Sequence, residues 1–208
     1  MASAFAGPLS RFYAGKASEA HRMRQGVETW RGDLRAAVVD KIGAQLVWDE
    51  GADLAFAADL GPAGWMALRL FAFYAEHPEF ELPDTVPGLL ELDREWRTAH
   101  DAKFERSLYG HLLACRLWLP GDFPVTLRAP LPDGETAEIG SLTVLANQMK
   151  WLNERTFQAE QAEIATWRAL PAEPGGDLIV AARRGYAALH EAIAQAVAAG
   201  VPLAMREA

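Results

Sequence analysis

The sequence predicts an α+β fold in which helices dominate and a small antiparallel sheet is built from two hairpins. Strand-like pairs flank turn residues at 45–57 and at 125–139, and a helical pattern follows each pair. Elsewhere, apolar residues recur at intervals of three and four over long stretches. Because the strands are joined as hairpins rather than through helical crossovers, a doubly wound parallel sheet is not expected.

The length of 208 residues favours one globular domain over 1–208, with two small lobes as the alternative. Half of the residues are apolar, so the chain can bury a sizeable core. The lone cysteine, Cys115, rules out an intrachain disulfide and fits a reducing cytoplasm. The N-terminus lacks a signal-peptide pattern, and no uncharged apolar run of about 18 residues occurs. We therefore expect a cytoplasmic protein that does not span a membrane.

The N-terminal part is predicted to hold two helices and the first hairpin. Helical patterns cover residues 9–24 and 27–42, with Gly26 between them. Strand-like runs at 45–48 and 54–57 then flank an acidic loop.

Two further helices are predicted in the middle of the chain. The first covers residues 61–76, because Pro62 is tolerated in a first helical turn and Pro78 prevents continuation. It is apolar on nearly all sides, which predicts a central, buried position. The second is a long helix over 88–119, whose apolar residues stay on one broad face until Pro120.

The clearest local signal is the second hairpin and the helix after it. Strands at 125–129 and 136–139 flank an Asp-Gly turn at 133–134, where Gly adopts positive φ at little cost. Ser141 can cap the N-terminus of a helix over 141–167. The order of hairpin and then helix thus occurs twice with little residue identity, and a duplication and a common α+β unit both stay open.

The C-terminal part is predicted to be a helix followed by a strand. Asp177 is placed to cap an Ala-rich helix over 178–199, and Gly200 is placed to end it. Residues 201–205 can then return to the sheet as a strand.

Acidic residues are concentrated in one segment of the chain. The net charge is −8, and residues 46–95 hold eleven Asp and Glu against two Lys and Arg. Nucleic acid is bound through basic surface, so we expect no nucleic-acid partner. A homo-oligomer stays possible.

Six carboxylates on two predicted loops form the first candidate site. They are Asp49, Glu50 and Asp53 on one loop and Glu79, Glu81 and Asp84 on the other. If the two loops converge, their charges would attract a basic protein partner. The alternative is a pair of solvated loops. A calcium site is not expected, because the Asp-x-Asp-x-Asp-Gly spacing of a calcium loop is missing.

Residues on one side of the predicted 88–119 helix form the second candidate site. His100, His111 and Cys115 fall within about a quarter of its circumference. His111 and Cys115 are one turn apart and could share a metal ion, whereas His100 lies about 16 Å from His111. The sequence offers no further ligand, so we expect no metal and no cofactor. The alternative is core histidines beside a buried thiol.

Asn153 and Glu160 form the third candidate site. Both fall near the middle of the apolar face of the predicted 141–167 helix, and polar groups need hydrogen-bond partners if they are buried. They are interpreted either as structural hydrogen-bonding residues or as the lining of a pocket.

The familiar catalytic signatures, such as Gly-x-Ser-x-Gly, His-Glu-x-x-His and Cys-x-x-Cys, are missing from the sequence. Two functions stay open, besides that of a purely structural subunit of a larger assembly. The first is a non-catalytic cytoplasmic protein-binding module of the inhibitor, immunity or adaptor type, which uses the acidic loops against a basic protein. The alternative is an enzyme, or a protein that binds a small molecule or a metal, with a pocket beside the 88–119 helix.

Overall fold

A computed structural model describes residues 2–14, 19–43 and 45–207 of the chain. These residues form one six-stranded mixed sheet and eight α-helices. The strands are β1 (Ala2–Ala6), β2 (Phe56–Gly61), β3 (Cys115–Leu119), β4 (Leu127–Pro130), β5 (Thr136–Ser141) and β6 (Leu203–Glu207). The helices are α1 (Leu9–Tyr13), α2 (Ala20–Ile42), α3 (Gly64–Ala75), α4 (Arg94–Asp101), α5 (Gly110–Ala114), α6 (Leu142–Arg155), α7 (Gln161–Thr166) and α8 (Leu178–Ala199).

The strands lie in the order β2-β1-β6-β3-β5-β4. The β3–β5 pair is parallel, and the other four pairs are antiparallel. The prediction of a small antiparallel sheet built from two hairpins is therefore wrong. The chain does combine helices with a sheet, as an α+β fold does. The predicted second hairpin exists as β4 and β5.

The predicted first hairpin does not exist. Residues 45–48 form no strand, and β2 pairs instead with β1, where Ala4 lies opposite Ala58. Trp48 is buried, and its indole Nε1–H donates to the carboxylate of Glu50. The true partner of β2 is thus about fifty positions earlier in the chain, where local turn signals cannot reveal it.

The long helix predicted over 88–119 is also wrong. This stretch contains a 3₁₀ turn at Leu90–Leu92, then α4, an irregular segment, α5 and β3. Lys103 and Phe104 adopt φ of 56° and 52°, which ends the helical path. Leu117, Trp118 and Leu119 are all buried because β3 is covered on both faces, and such an uninterrupted apolar run does not distinguish a strand from a helix.

The other helices agree with the sequence more closely. The helix over 178–199 is confirmed: Asp177 accepts from the N–H of Val180 at 2.8 Å, and Gly200 ends it at φ 62°. The predicted helix over 141–167 is interrupted after Arg155 and resumes as α7. Gly26 lies inside α2 rather than between two helices, and residues 15–18 of the predicted 9–24 helix lie outside the described residues.

The sheet separates two apolar cores. α3, α6 and α8 pack on one face, and α1 and α2 pack on the other. Gly64 and Gly185 bring α3 and α8 unusually close, since a Cβ at Gly185 would lie 2.1 Å from the carbonyl oxygen of Gly64. None of the described helices is long and apolar enough to cross a membrane.

Candidate functional site

Arg69 is the one charged residue of α3, and it lies in a helix whose other residues are mostly buried. Its guanidinium lies 5.2 Å from the ring centre of Trp65 and 5.1 Å from that of Trp96, so the cation contacts two indole rings. Its Nε–H and one Nη–H donate to the carbonyl oxygen of Leu113. These contacts fix both the position and the plane of the cation.

Arg69 has no carboxylate partner of its own in the described part of the chain, where it forms no ion pair. Burial lowers the pKa of its guanidinium to about 10, and the charge of Glu207 opposes that shift. The group therefore stays protonated at neutral pH. Removing a cation from water costs several kcal/mol unless an opposite charge compensates it. Arg69 is thus a cation that an anion would stabilise.

A cavity of about 280 Å³ opens beside this guanidinium. It is bounded by α3, by the end of α4 and the segment after it, by α5, and by the sheet edge at β4 and β5. Its lining residues are Arg69, His100, Asp101, Lys103, Phe104, Ala114, Arg128 and Glu138. Three permanent cations and one histidine therefore face two carboxylates, so the cavity is positive although the chain as a whole is acidic.

The backbone is strained where it lines this cavity. Lys103 and Phe104 are consecutive non-glycine residues in the left-handed region. Phe104 is 7% exposed, and its ring centre lies 4.9 Å from that of Trp96 and 5.9 Å from that of His100. Such conformations cost of order 1–3 kcal/mol each and cluster at binding sites, so the strain supports a functional interpretation of the segment.

The two histidines of the second candidate site lie in different environments. His100 is exposed at the cavity, with its Nδ1 3.9 Å from Asp101. His111 is 3% exposed in the core. Its Nδ1 accepts from the N–H of Ser141 at 2.9 Å, so the proton lies on Nε2, which faces the carbonyl oxygen of Pro124 at 3.3 Å. Both ring nitrogens of His111 have hydrogen-bond partners in the core. This is the arrangement that the sequence analysis gave as the alternative to a metal site.

Cys115 lies beside His111, but its buried thiol is unreactive. A Cβ built on Gly140 would lie 2.8 Å from His111 Nδ1 and 3.0 Å from Cys115 Sγ, so all three residues meet at one packed point. Burial raises the pKa of the Cys115 thiol, which keeps it protonated. Within residues 2–14, 19–43 and 45–207, no group of three or more His, Cys, Asp and Glu side chains is placed to hold a metal ion.

The two acidic loops do not converge. The carbonyl oxygen of Asp84 accepts from the N–H of Leu178, the first residue of α8. The loop over 49–53 contacts the start of α1. Just before α1, the N–H of Gly7 donates to the carbonyl oxygen of Pro202, which follows α8. This loop therefore lies at the other end of α8. A helix of 22 residues is about 33 Å long, which separates the loops by that order of distance.

One of the six carboxylates is not on the surface. Glu50 is 3% exposed, and it accepts from the N–H groups of Leu9 at 3.1 Å and Ser10 at 2.9 Å. It therefore caps the N-terminus of α1, where a negative charge is favourable.

The other five carboxylates, Asp49, Asp53, Glu79, Glu81 and Asp84, are exposed. Two of them meet a basic side chain: Asp53 pairs with Arg11, and Glu79 with His77. The binding of a basic protein by either loop stays an untested prediction.

Asn153 is a structural hydrogen-bonding residue. Its amide donates to the carbonyl oxygen of Ala159 at 2.9 Å and accepts from the N–H of the same residue at 3.1 Å, which holds the bend between α6 and α7. It also lines a cleft of about 360 Å³ between α6 and α8. Glu160 is exposed at the start of α7, away from the apolar face on which the sequence placed it.

The sequence interpretation found His100 but missed Arg69, Lys103 and Arg128, which give the cavity its charge. A usable signal existed for Arg69, because a lone cation inside an otherwise apolar helix is seldom buried without a partner. Lys103 and Arg128 carry no comparable signal, since surface cations are common.

Comparison with protein-family models, with curated proteins and with solved structures found no match to this chain. A functional proposal therefore depends on the chemistry of the residues around the cavity.

Proposed function

We propose that this protein binds a small molecule through an anionic group that contacts Arg69. The observation that carries the proposal is the Arg69 guanidinium, because it contacts two indole rings and belongs to a side chain that lines a cavity without an ion-pair partner among the described residues. A cavity with a few convergent polar groups and a perturbed pKa is a typical small-molecule site.

The chemistry of arginine suggests which anions fit. Its planar fork of N–H groups matches a carboxylate or a phosphate, and the contacts with Trp65 and Trp96 restrict the movement of the side chain. A preorganised donor loses little conformational entropy when the ligand binds. The proposed ligand therefore carries a carboxylate or phosphate group.

The neighbouring charges support the same conclusion. Lys103 has no carboxylate partner in the described part of the chain, and Arg128 is only loosely paired with Glu138 at 3.7 Å. An anion in the cavity is thus attracted by several cations, while Glu138 and Asp101 can accept hydrogen bonds from hydroxyl or amino groups of the ligand.

This proposal is the small-molecule alternative of the sequence analysis. We propose binding because a buried cation without an ion-pair partner among the described residues predicts affinity for an anion. We also propose a cytoplasmic location, with which the buried and unpaired thiol of Cys115 is compatible.

Isothermal titration calorimetry with inorganic phosphate and with acetate tests the proposal. We expect saturable binding of at least one anion, and a Kd that rises roughly threefold to tenfold in Lys103→Gln and in Arg128→Gln. Arg94→Gln is the matched control, because Arg94 is exposed on α4 but does not line the cavity. Equal affinities in all three variants, or no binding of either anion, would contradict the proposal.

A further inference from the structure

The cleft that Asn153 lines is separate from the Arg69 cavity. Its volume is about 360 Å³, and its walls are formed by α6 and α8, with a contribution from α7. No described residue lines both spaces. Most of the side chains that line the cleft are apolar, namely Ala146, Met149, Ala159, Ile164, Tyr186, Ile193, Ala194 and Val197. The cleft therefore suits a ligand with an apolar body.

The apolar lining of this cleft is buried at some positions and exposed at others. Met149, Tyr186 and Ile193 are buried, whereas Val197 is 54% exposed and Ala194 is exposed as well. The buried residues belong to the core, and the exposed ones border the opening. A ligand in the cleft would cover Val197, and removing apolar surface from water favours binding.

Two basic residues lie near Tyr186, one on each of the two helices. The hydroxyl of Tyr186 donates to the carbonyl oxygen of Met149 at 3.0 Å, which places Lys150, the next residue of α6, close to Tyr186. The ring of His190, one turn further along α8, stacks on the ring of Tyr186 with the ring centres 5.8 Å apart. Lys150 and His190 thus line the same part of the cleft from opposite walls.

These two side chains can both donate hydrogen bonds to an anion. Burial lowers the pKa of His190 against the charge of Glu191, so its ring is neutral at neutral pH and carries one N–H donor. Lys150 is paired with Glu154 at 3.7 Å, but both side chains are exposed and such a pair is weak. No described residue that lines the cleft carries a carboxylate, so nothing in its lining repels an anion.

We infer that this cleft binds an alkyl carboxylate, whose carboxylate contacts Lys150 and His190 and whose alkyl chain lies along Ile193 and Val197. One cation and one neutral donor match a head group with a single negative charge better than a doubly charged phosphate. From His190 to Val197, α8 extends by about 10 Å, which gives the chain an apolar path. This is a second site, and it does not rest on the proposed function.

Calorimetric titration with butanoate, hexanoate and octanoate tests the inference, at concentrations below those at which micelles form. Each buried methylene is expected to lower the Kd roughly fourfold until the cleft is filled. Octylamine is the matched ligand with a positive head group. Its Kd is expected to be about tenfold higher than that of octanoate or more, because its charge is repelled by Lys150.

Two variants test the head group. Lys150→Gln removes the charge, and His190→Phe removes the N–H donor but keeps a ring that can stack on Tyr186. Each is expected to raise the Kd of octanoate roughly threefold to tenfold. Lys103→Gln is the control for the other site, since Lys103 lines only the Arg69 cavity of the two, and it should leave the octanoate Kd unchanged.

Two further variants test the alkyl chain. Val197→Ser is expected to fold, because Val197 is exposed, and to raise the Kd of octanoate roughly threefold to tenfold. Ala194→Gln narrows the cleft from another exposed position and should have the same direction of effect. Ile179→Ser is the matched control, since Ile179 is an exposed apolar residue of the same helix and lines neither space. Circular dichroism shows that each variant is folded.

The outcomes decide the inference without deciding the proposed function. Octanoate binding that weakens in the head variants and the chain variants, but not in Lys103→Gln or Ile179→Ser, supports the inference. No saturable binding of octanoate overturns it. An octanoate Kd that is unchanged in both head variants, or in both chain variants, also overturns it. Sedimentation velocity gives the last outcome, because a dimer that Val197→Ser dissociates would assign the cleft to a second copy of the chain and overturn the inference.

Discussion

The Nε–H of Arg69 donates a hydrogen bond to the carbonyl oxygen of Leu113 at 3.0 Å, which ties the middle of α3 to the end of α5. Together with the contacts to the indoles of Trp65 and Trp96, this bond orients the guanidinium before any ligand arrives. Geometry, and not charge alone, is therefore expected to determine anion affinity.

Replacing Arg69 by Lys keeps the charge but removes the planar fork. We expect Arg69→Lys to raise the Kd for phosphate by about tenfold or more, because a lysine ammonium cannot make two parallel hydrogen bonds or stack on an aromatic ring. The measurement is a calorimetric titration, with circular dichroism to show that the variant is folded. Wild-type affinity in a folded Arg69→Lys protein would show that the fork plays no part.

Glu50 is expected to stabilise the fold rather than bind a partner. Glu50→Gln removes the negative charge that accepts from Leu9 and Ser10, and should lower the free energy of unfolding by about 1–3 kcal/mol. Urea denaturation followed by circular dichroism measures the loss. Glu81→Gln is the matched control, because Glu81 is exposed and its replacement should change stability by less than about 0.5 kcal/mol. Equal midpoints for the two variants would be inconsistent with the capping role.

His111 should make stability depend on pH. Burial lowers the pKa of its imidazole, and protonation of Nδ1 would break the bond from Ser141. The unfolded chain therefore takes up this proton at a higher pH than the folded protein does. The stabilising contribution of the neutral ring is present above the ordinary value of 6.5 and is lost as the pH falls below it.

The pH dependence can be assigned by comparing variants. Urea midpoints of the wild type should fall between pH 7 and pH 5 more steeply than those of His111→Gln, because only the wild type carries the titrating ring at this position. His21→Gln is the control, since His21 is exposed on α2. Parallel pH profiles for wild type and His111→Gln would rule out His111 as a source of the dependence.

Asn153 should be important for the bend between α6 and α7. Asn153→Ala removes both hydrogen bonds to the backbone of Ala159 and leaves two polar groups without partners, which should cost about 1–3 kcal/mol. Glu160 is exposed in the same bend and provides the control, since Glu160→Ala should change the free energy of unfolding little. Urea denaturation distinguishes them, and a neutral effect of Asn153→Ala would mean that water replaces the lost bonds.

The parts of the fold that the sequence predicted correctly depend on local signals. The prediction of α8 is correct at both ends because Asp177 and Gly200 act within one turn of the helix. The prediction of the β4–β5 hairpin is correct because the turn residues that indicate it lie directly between its two strands.

The errors came from contacts between distant parts of the chain. β2 pairs with β1 from the N-terminus, and β3 is buried on both faces, so neither showed the alternation of a local hairpin strand. The cations of the candidate site were missed for the same reason. Arg69 lies on α3 and Arg128 on β4, and only the tertiary fold places them at one cavity.

The most direct test of the central claim observes the guanidinium of Arg69 itself. In ¹⁵N-detected or ¹H–¹⁵N NMR spectra of arginine side chains, the Arg69 Nε–H is expected to be slowly exchanging, because it is hydrogen-bonded to Leu113 and the guanidinium contacts two indoles. Arg69→Lys assigns the signal by its disappearance. During a phosphate titration we predict that this signal shifts and saturates with the Kd measured by calorimetry, while the signal of Arg94 does not. Saturable phosphate binding that leaves the Arg69 signal unmoved would contradict the account.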